Sequence, residues 1–200
     1  DYLKKNINSD RLINNGIVIA PTDYRLMENF SMFNDIIIII NNLLLETSFN
    51  IVFRPYPANR NAPNTLQINK IYESNKRYKF DVSENYFDVY SKSACMITDI
   101  SGTAFTYAFL TKKPVIFVSK NEKLLAELGY DKLAYFKDRE KVGVIVEEIN
   151  KIKNTIENIS SIEEKIKRSN DLLEKEITYL GNSKSRIYNV IEKIVWIIKL

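Results

Sequence analysis

The sequence predicts an α/β protein: a Rossmann-like parallel sheet of about five to six strands, with helices on both faces and a helical C-terminal segment. Three observations carry this. Apolar runs of strand length recur at Ile17–Ala20, Asn50–Arg54, Tyr78–Val82, Cys95–Thr98 and Pro114–Val118. The stretches between them have helix length and helical spacing, and strands alternating with helices read as parallel crossover units. Several runs end in a proline or a short polar turn, where a strand opens onto a loop at the edge at which α/β sheets bind ligands.

Taken in order, residues 1–15 are polar and Asn-rich, a linker or short leading helix. Ile17–Ala20 follows Gly16, is stopped by Pro21, and reads as the first strand. Residues 31–47 contain five consecutive isoleucines with strong β propensity. The segment has neither Gly nor Pro and ends Leu43-Leu44-Leu45-Glu46, so its length predicts a buried helix. Asn50–Arg54 is the second strand, and Arg54-Pro55-Tyr56-Pro57 forms a stiff exit loop, because each proline restricts its own φ and the residue before it. Asn64–Lys76 fits a helix with Leu66, Ile68, Ile71 and Tyr72 as its apolar positions. Tyr78–Val82 alternates as a strand, and Asn85–Ser91 forms a short amphipathic helix. Residues 94–119 then make one strand–turn–helix–strand unit around Ser101-Gly102-Thr103. Glu122–Leu128 is a further short helix, ended by Gly129.

From Val144 onward the spacing is wholly helical, with Ile145, Ile149, Ile152, Ile156 and Ile159 at intervals of three and four. Ser160-Ser161 with Glu163-Glu164 offers a capping box for a helix running through Ile166, Leu173, Ile177 and Leu180 to Gly181. Ser183 caps a last helix whose Ile187, Val190, Ile191, Ile194 and Ile198 form a core-facing stripe. The expected organisation is a leading segment (1–15), an α/β domain (16–143) and C-terminal helices packing on it (144–200).

Composition excludes several function classes. The 200 residues are 45% hydrophobic, enough for one core and a small helical annex. The net charge of +4 is spread evenly, 18 basic against 16 acidic residues over 1–140 and 11 against 9 over 141–200, which argues against a dedicated nucleic-acid binder. There is no histidine, so this chain supplies no His general base, Ser-His-Asp triad or His-ligated metal. No carboxylate pair has metal-ligand spacing. The single Cys95 lies in an apolar strand and reads as core. No apolar run approaches the ~20 residues that span a bilayer. The chain begins at Asp1 and not Met, so a piece of a longer or processed protein is expected.

The candidate site is the set of strand-end loops. Ser101-Gly102-Thr103 places hydroxyls and backbone N–H groups at a helix N-terminus, where the helix dipole favours an anion. A simple N-cap role for Ser101 explains the same residues. Asp99 closes the preceding strand. Thr22 and Arg25 lie beyond the first strand, either reaching a ligand phosphate or forming a solvated Asp23–Arg25 pair. Arg54 and Tyr56 leave the second strand toward the same edge. No GxGxxG or Walker A motif is present, so any phosphate is held by a different turn.

Four pieces stand in order: Ala20-Pro21-Thr22-Asp23-Tyr24-Arg25; Val52-Phe53-Arg54-Pro55-Tyr56-Pro57; Ile97-Thr98-Asp99-Ile100-Ser101-Gly102-Thr103 followed by Lys113-Pro114-Val115-Ile116-Phe117; and Gly181-Asn182-Ser183-Lys184-Ser185-Arg186. Together they resemble the C-terminal, nucleotide-binding half of the CDP-glycerol glycerophosphotransferase family, GT-B-type enzymes of teichoic acid and capsule polymer synthesis. That family's pattern runs APT-x-R, RPHP, TDYSS with KPvif, and GNS-x-R. The resemblance covers residues 17–195.

The resemblance implies one half of a GT-B fold that binds the nucleotide diphosphate of an activated donor, such as CDP-glycerol or a nucleotide sugar, with no cofactor and no metal. It matches Ser101 and Thr103 to the serine pair on the donor's phosphates, Asp99 to the residue shaping that turn, Arg54 and Pro57 to RPHP, and Thr22 and Arg25 to the first loop. Two departures stand out. Tyr56 replaces the histidine, and Gly102 takes the second serine's place, with Thr103 one position later. A tyrosine donates a hydrogen bond but carries no positive charge at neutral pH. The resemblance further implies an N-terminal acceptor domain that supplies the general base, a cytoplasmic location, and peripheral contact with the inner face of the cell membrane. By itself the chain is expected to bind nucleotide and catalyse nothing. The alternative, prompted by Tyr56 and the missing histidine, is a non-catalytic binding or interaction module whose site is degenerate.

Overall fold

The computed structural model describes residues 16–159 and 183–198. The expectations for residues 1–15 and for the helix from Ser160 to Gly181 lie outside the described residues. Six parallel strands form one sheet: β1 (Gly16–Ile19), β2 (Asn50–Phe53), β3 (Tyr78–Phe80), β4 (Ser93–Thr98), β5 (Val115–Val118) and β6 (Gly143–Val146), in the order β3-β2-β1-β4-β5-β6. The helices are α1 (Ile36–Glu46), α2 (Pro63–Tyr72), α3 (Phe87–Ser91), α4 (Thr103–Thr111), α5 (Glu122–Glu127), α6 (Ala134–Val142), α7 (Ile152–Glu157) and α8 (Ser183–Ile198).

Alternation along the strands feeds two cores, because successive side chains point to opposite faces. Ile17 and Ile19 of β1, Ile51 and Phe53 of β2, and Cys95 and Ile97 of β4 face α1, α2 and α7. Val18, Met96, Val115 and Phe117 face α3, α4 and α6. The isoleucine run is helical as expected. Ile36, Ile39, Ile40, Leu43 and Leu44 fall on one face and are buried, each side chain contributing about 1.5–3 kcal/mol, which outweighs their β propensity. The run ends at Thr47, whose hydroxyl donates to the Leu43 carbonyl at 2.6 Å. The Arg77 guanidinium donates to the carbonyls of Leu44, Thr47 and Phe49. Pro63 opens α2 at the first helical position, where its missing N–H costs nothing.

Three expectations are corrected. Residues 143–146 are a sixth strand and not the start of a helix: Val144, Ile145 and Val146 are β-branched and extend the sheet beside Val115–Val118. Gly143 opens that strand because any Cβ there lies 2.0 Å from the Val115 carbonyl oxygen. On α2 the buried positions are Thr65, Ile68 and Tyr72, while Leu66 and Ile71 are exposed. On α8, Ile187, Val190 and Ile191 are exposed and not core-facing. That helix is amphipathic in sequence, but its described side chains (184–192) meet no core.

Candidate functional site

Every strand runs the same way, so all the carboxyl ends open on one edge. The order reverses between β1 and β4, and ligand crevices in open α/β sheets form at such a switch point. The ladder continues one residue beyond the strands. Ala20 donates to Ile97, Arg54 to Ile19 and Asp81 to Phe53, each at 2.9 Å. The Thr98 hydroxyl donates to the Ala20 carbonyl at 2.5 Å, closing the base of the crevice.

The turn after β4 leads directly into α4. Its N-cap is Gly102, at φ −60°, and no side chain hydrogen-bonds the cap. Ser101 is therefore not the capping residue. The Gly102 and Thr103 N–H groups keep their attraction for an anion, because no side chain among the described residues caps the helix. The Ser101 carbonyl accepts from Ala104 N–H at 3.1 Å and from the Tyr135 hydroxyl at 2.8 Å, which fixes the turn from behind. Thr103 makes a contact of its own at the start of α4. Its hydroxyl lies 2.6 Å from the Tyr90 hydroxyl and is engaged within the chain.

Asp99 is fully buried beneath this turn. Its carboxylate accepts from Thr22 N–H at 2.9 Å, Met32 N–H at 3.0 Å and the Ser31 hydroxyl at 3.2 Å. It thus ties the loop after β1 to the end of β4, a wider task than shaping its own turn. Burial pushes its pKa up to about 6, against the three donors, which favour the charged form. A carboxyl with a raised native pKa stabilises the fold most at low pH, and that contribution is lost as pH rises through about 6. Carbon-13 NMR of the Asp99 carboxyl is expected to titrate near pH 6. The change in stability between pH 4 and 6 should differ from that of Asp99→Asn by about 2 kcal/mol. A midpoint at the ordinary Asp value would contradict the burial argument.

Arg54 leaves β2 beside Asp81, which leaves β3. Its Nη1 donates to the Asp81 carboxylate and, at 3.3 Å, to the Ser83 hydroxyl, and its Nη2 donates to the Ser83 carbonyl at 3.0 Å. Both residues are buried. Three of the five guanidinium donors are thereby committed inside the chain. Tyr56, two residues on, is 41% exposed at the mouth of the edge. Arg25, itself exposed, pairs at 3.1 Å with the buried Asp23 and lies within electrostatic range of Tyr56.

The eight expected residues therefore gather at one edge in distinct states. Ser101 and Gly102 form the open turn. Thr22 meets Asp99, Thr103 meets Tyr90, Arg54 meets Asp81, and Arg25 with Tyr56 sits at the rim. Asp81, Tyr90, Ser31 and Tyr135 went unread in the sequence. For Asp81 a signal existed: Val52-Phe53-Arg54 and Lys79-Phe80-Asp81 are neighbouring strand ends, in register through Phe53 and Phe80, with opposite charges following. A cleft of about 270 Å3 lined by Tyr24, Arg25, Glu28, Ser31 and Asn64 flanks the β1 loop. It falls just short of the ~300 Å3 at which small-molecule pockets begin.

Among the described residues no cluster of His, Cys, Asp or Glu is arranged to hold a metal ion, and no helix is long and apolar enough to cross a membrane. Among solved structures the chain is similar to the wall teichoic acid polymerase TagF, with 20% identity, 97% of this chain and 46% of that chain covered, and a TM-score of 0.58. It is also similar to the UDP-GlcNAc 2-epimerase of Neisseria meningitidis (17% identity, 91% and 45% covered, TM-score 0.54) and to MnaA of S. aureus (14%, 80% and 42%, TM-score 0.51). These likenesses show the fold, one half of a GT-B arrangement, and the chain spans less than half the length of each. A search of curated proteins finds no match. Residues 4–193 match the family described as CDP-Glycerol:Poly(glycerophosphate) glycerophosphotransferase, and with nearly its whole length matched the chain belongs to that transferase family.

Proposed function

We propose that this chain is the donor-nucleotide-binding half of a glycerophospho- or glycosyltransferase that builds a cell-surface polymer of the teichoic acid or capsule kind. One observation carries the reading: the N-terminus of α4 opens, without a side-chain cap, at the switch point between β1 and β4. There the Gly102 and Thr103 N–H groups and the Ser101 hydroxyl hold the diphosphate of the donor. As the bond to the transferred group breaks, negative charge grows on the leaving nucleotide. Donors fixed in place beforehand stabilise that charge without reorganising. Arg54 adds positive potential from behind its pair with Asp81, and Tyr56 and Arg25 line the approach.

The acceptor site and the general base belong to a second domain, in keeping with relatives twice as long. Polymer building on lipid carriers at the inner face of the cell membrane is part of the same proposal. Four side-chain observations favour a second reading, a nucleotide-binding or interaction module without turnover: Gly102 lacks the hydroxyl, Tyr56 lacks the charge, Thr103 is held by Tyr90, and Arg54 by Asp81.

Calorimetric titration with CDP, UDP, CMP and GDP separates the donor reading from an interaction module that binds no nucleotide. Saturable binding of a nucleoside diphosphate is expected, weakened about tenfold in Ser101→Ala, the loss of one hydrogen bond to a charged group. Absence of binding by all four at millimolar concentration would sink the donor-site assignment and leave the interaction module.

A further inference from the structure

We propose that Tyr90 is a positioning residue of this site, locking the first turn of α4 against Arg54 so that the Gly102 and Thr103 N–H groups converge on the donor's diphosphate. The inference rests on the nucleotide reading above.

Tyr90 is buried, and its ring is fixed on several sides. It meets Tyr107 edge-on, with centroids 5.4 Å apart, and Tyr86 at 5.0 Å. Its carbonyl accepts from the Ser93 hydroxyl at 2.8 Å, and Ser93 in turn bonds the Tyr107 hydroxyl at 3.0 Å. With the ring held, the phenol oxygen has no freedom of its own. It lies 2.6 Å from the hydroxyl of Thr103, the first residue of α4, and beside the Arg54 guanidinium.

The contact therefore joins three parts of the edge: the exit of β2, the short helix α3 and the first turn of α4. A phenylalanine would fill the same space and make the same ring contacts. The hydroxyl is costly to bury, and what it adds is the bond to Thr103 together with the neighbouring positive charge. Thr103 carries one of the N–H groups the proposed site uses, so a rotation of this residue re-aims the cradle. Small displacements of such donors weaken binding strongly.

The test compares the wild-type chain with Tyr90→Phe, Thr103→Val and the double variant. Nitrogen-15 spectra without ligand report the amides of Gly102, Thr103 and Ala104, and calorimetry with CDP reports affinity. In Tyr90→Phe those three amides are expected to shift and CDP affinity to fall about tenfold. Thr103→Val should give the same loss, and the double variant no further loss, because the two hydroxyls act as one unit. A melting temperature that drops while the amides and the affinity stay at wild-type values makes Tyr90 a packing residue and overturns the inference. Wild-type protein that binds none of CDP, UDP, CMP and GDP overturns the donor reading and this inference together. Wild-type and Tyr90→Phe binding CDP equally overturns this inference alone.

Discussion

Asp81→Ala is expected to destabilise the folded chain by about 3–5 kcal/mol, the usual cost of removing one partner from a buried, hydrogen-bonded ion pair. The reason is the charge left behind. Arg54 has a side chain only 10% exposed and sits at the end of β2 with no other carboxylate bonded to it among the described residues. Without Asp81 its guanidinium must either remain unpaired in a poorly solvated place or pull away from the edge. Ser83 loosens as well, because its hydroxyl donates to Asp81 at 2.8 Å. Chemical denaturation of wild type, Asp81→Ala, Arg54→Ala and Asp81→Ala/Arg54→Ala measures the pair. Each single variant should lose most of the effect, and the double should lose much less than their sum. A strictly additive double variant would show that the two side chains do not support one another. Asp81→Asn, which keeps the shape and one acceptor, should fall between.

That pair also marks where sequence reasoning reached its limit. The first five strands were legible because each is a short apolar run bounded by a turn, information local to four or five residues. The Ser101 turn was legible for the same reason. Arg54 was visible as a residue aimed at the edge. Its partner stands 27 residues away and meets it only through the parallel register of β2 with β3. Thr103 and Tyr90 are 13 residues apart and meet only once α3 and α4 are packed. Strand β6 was absorbed into a helix because Ile145 happens to continue the spacing of Ile149, Ile152 and Ile156. What separates strand from helix there is the neighbour, Val115–Val118, which supplies a ladder that no helical spacing reports. In α8 the stripe in the sequence was real, but a stripe specifies only that a face is apolar, not what covers it.

Gly102→Asp is expected to abolish nucleotide binding, at least a hundredfold loss of affinity, while leaving the fold intact. The two halves of this expectation have separate causes. Gly102 sits at φ −60° and ψ −18°, a conformation open to any residue, and a Cβ there meets nothing within 4 Å. Stability should stay within about 0.5 kcal/mol of wild type, as for a surface substitution without strain. Binding is another matter, because the same open space is where the diphosphate must come close to the N–H groups of α4. A carboxylate there occupies the anion's place and repels what remains. Gly102→Ser separates charge from bulk. It restores the hydroxyl of the family pattern in the same open space, and its affinity for CDP should match or exceed that of wild type. Calorimetry and thermal melts on both variants give the answer. If Gly102→Asp bound CDP as wild type does, the anion would lie elsewhere on the edge, and the turn after β4 would be a connector into α4 and nothing more. If Gly102→Ser lost binding as Gly102→Asp does, the glycine itself would be what the ligand needs, a backbone approached too closely for any side chain to share.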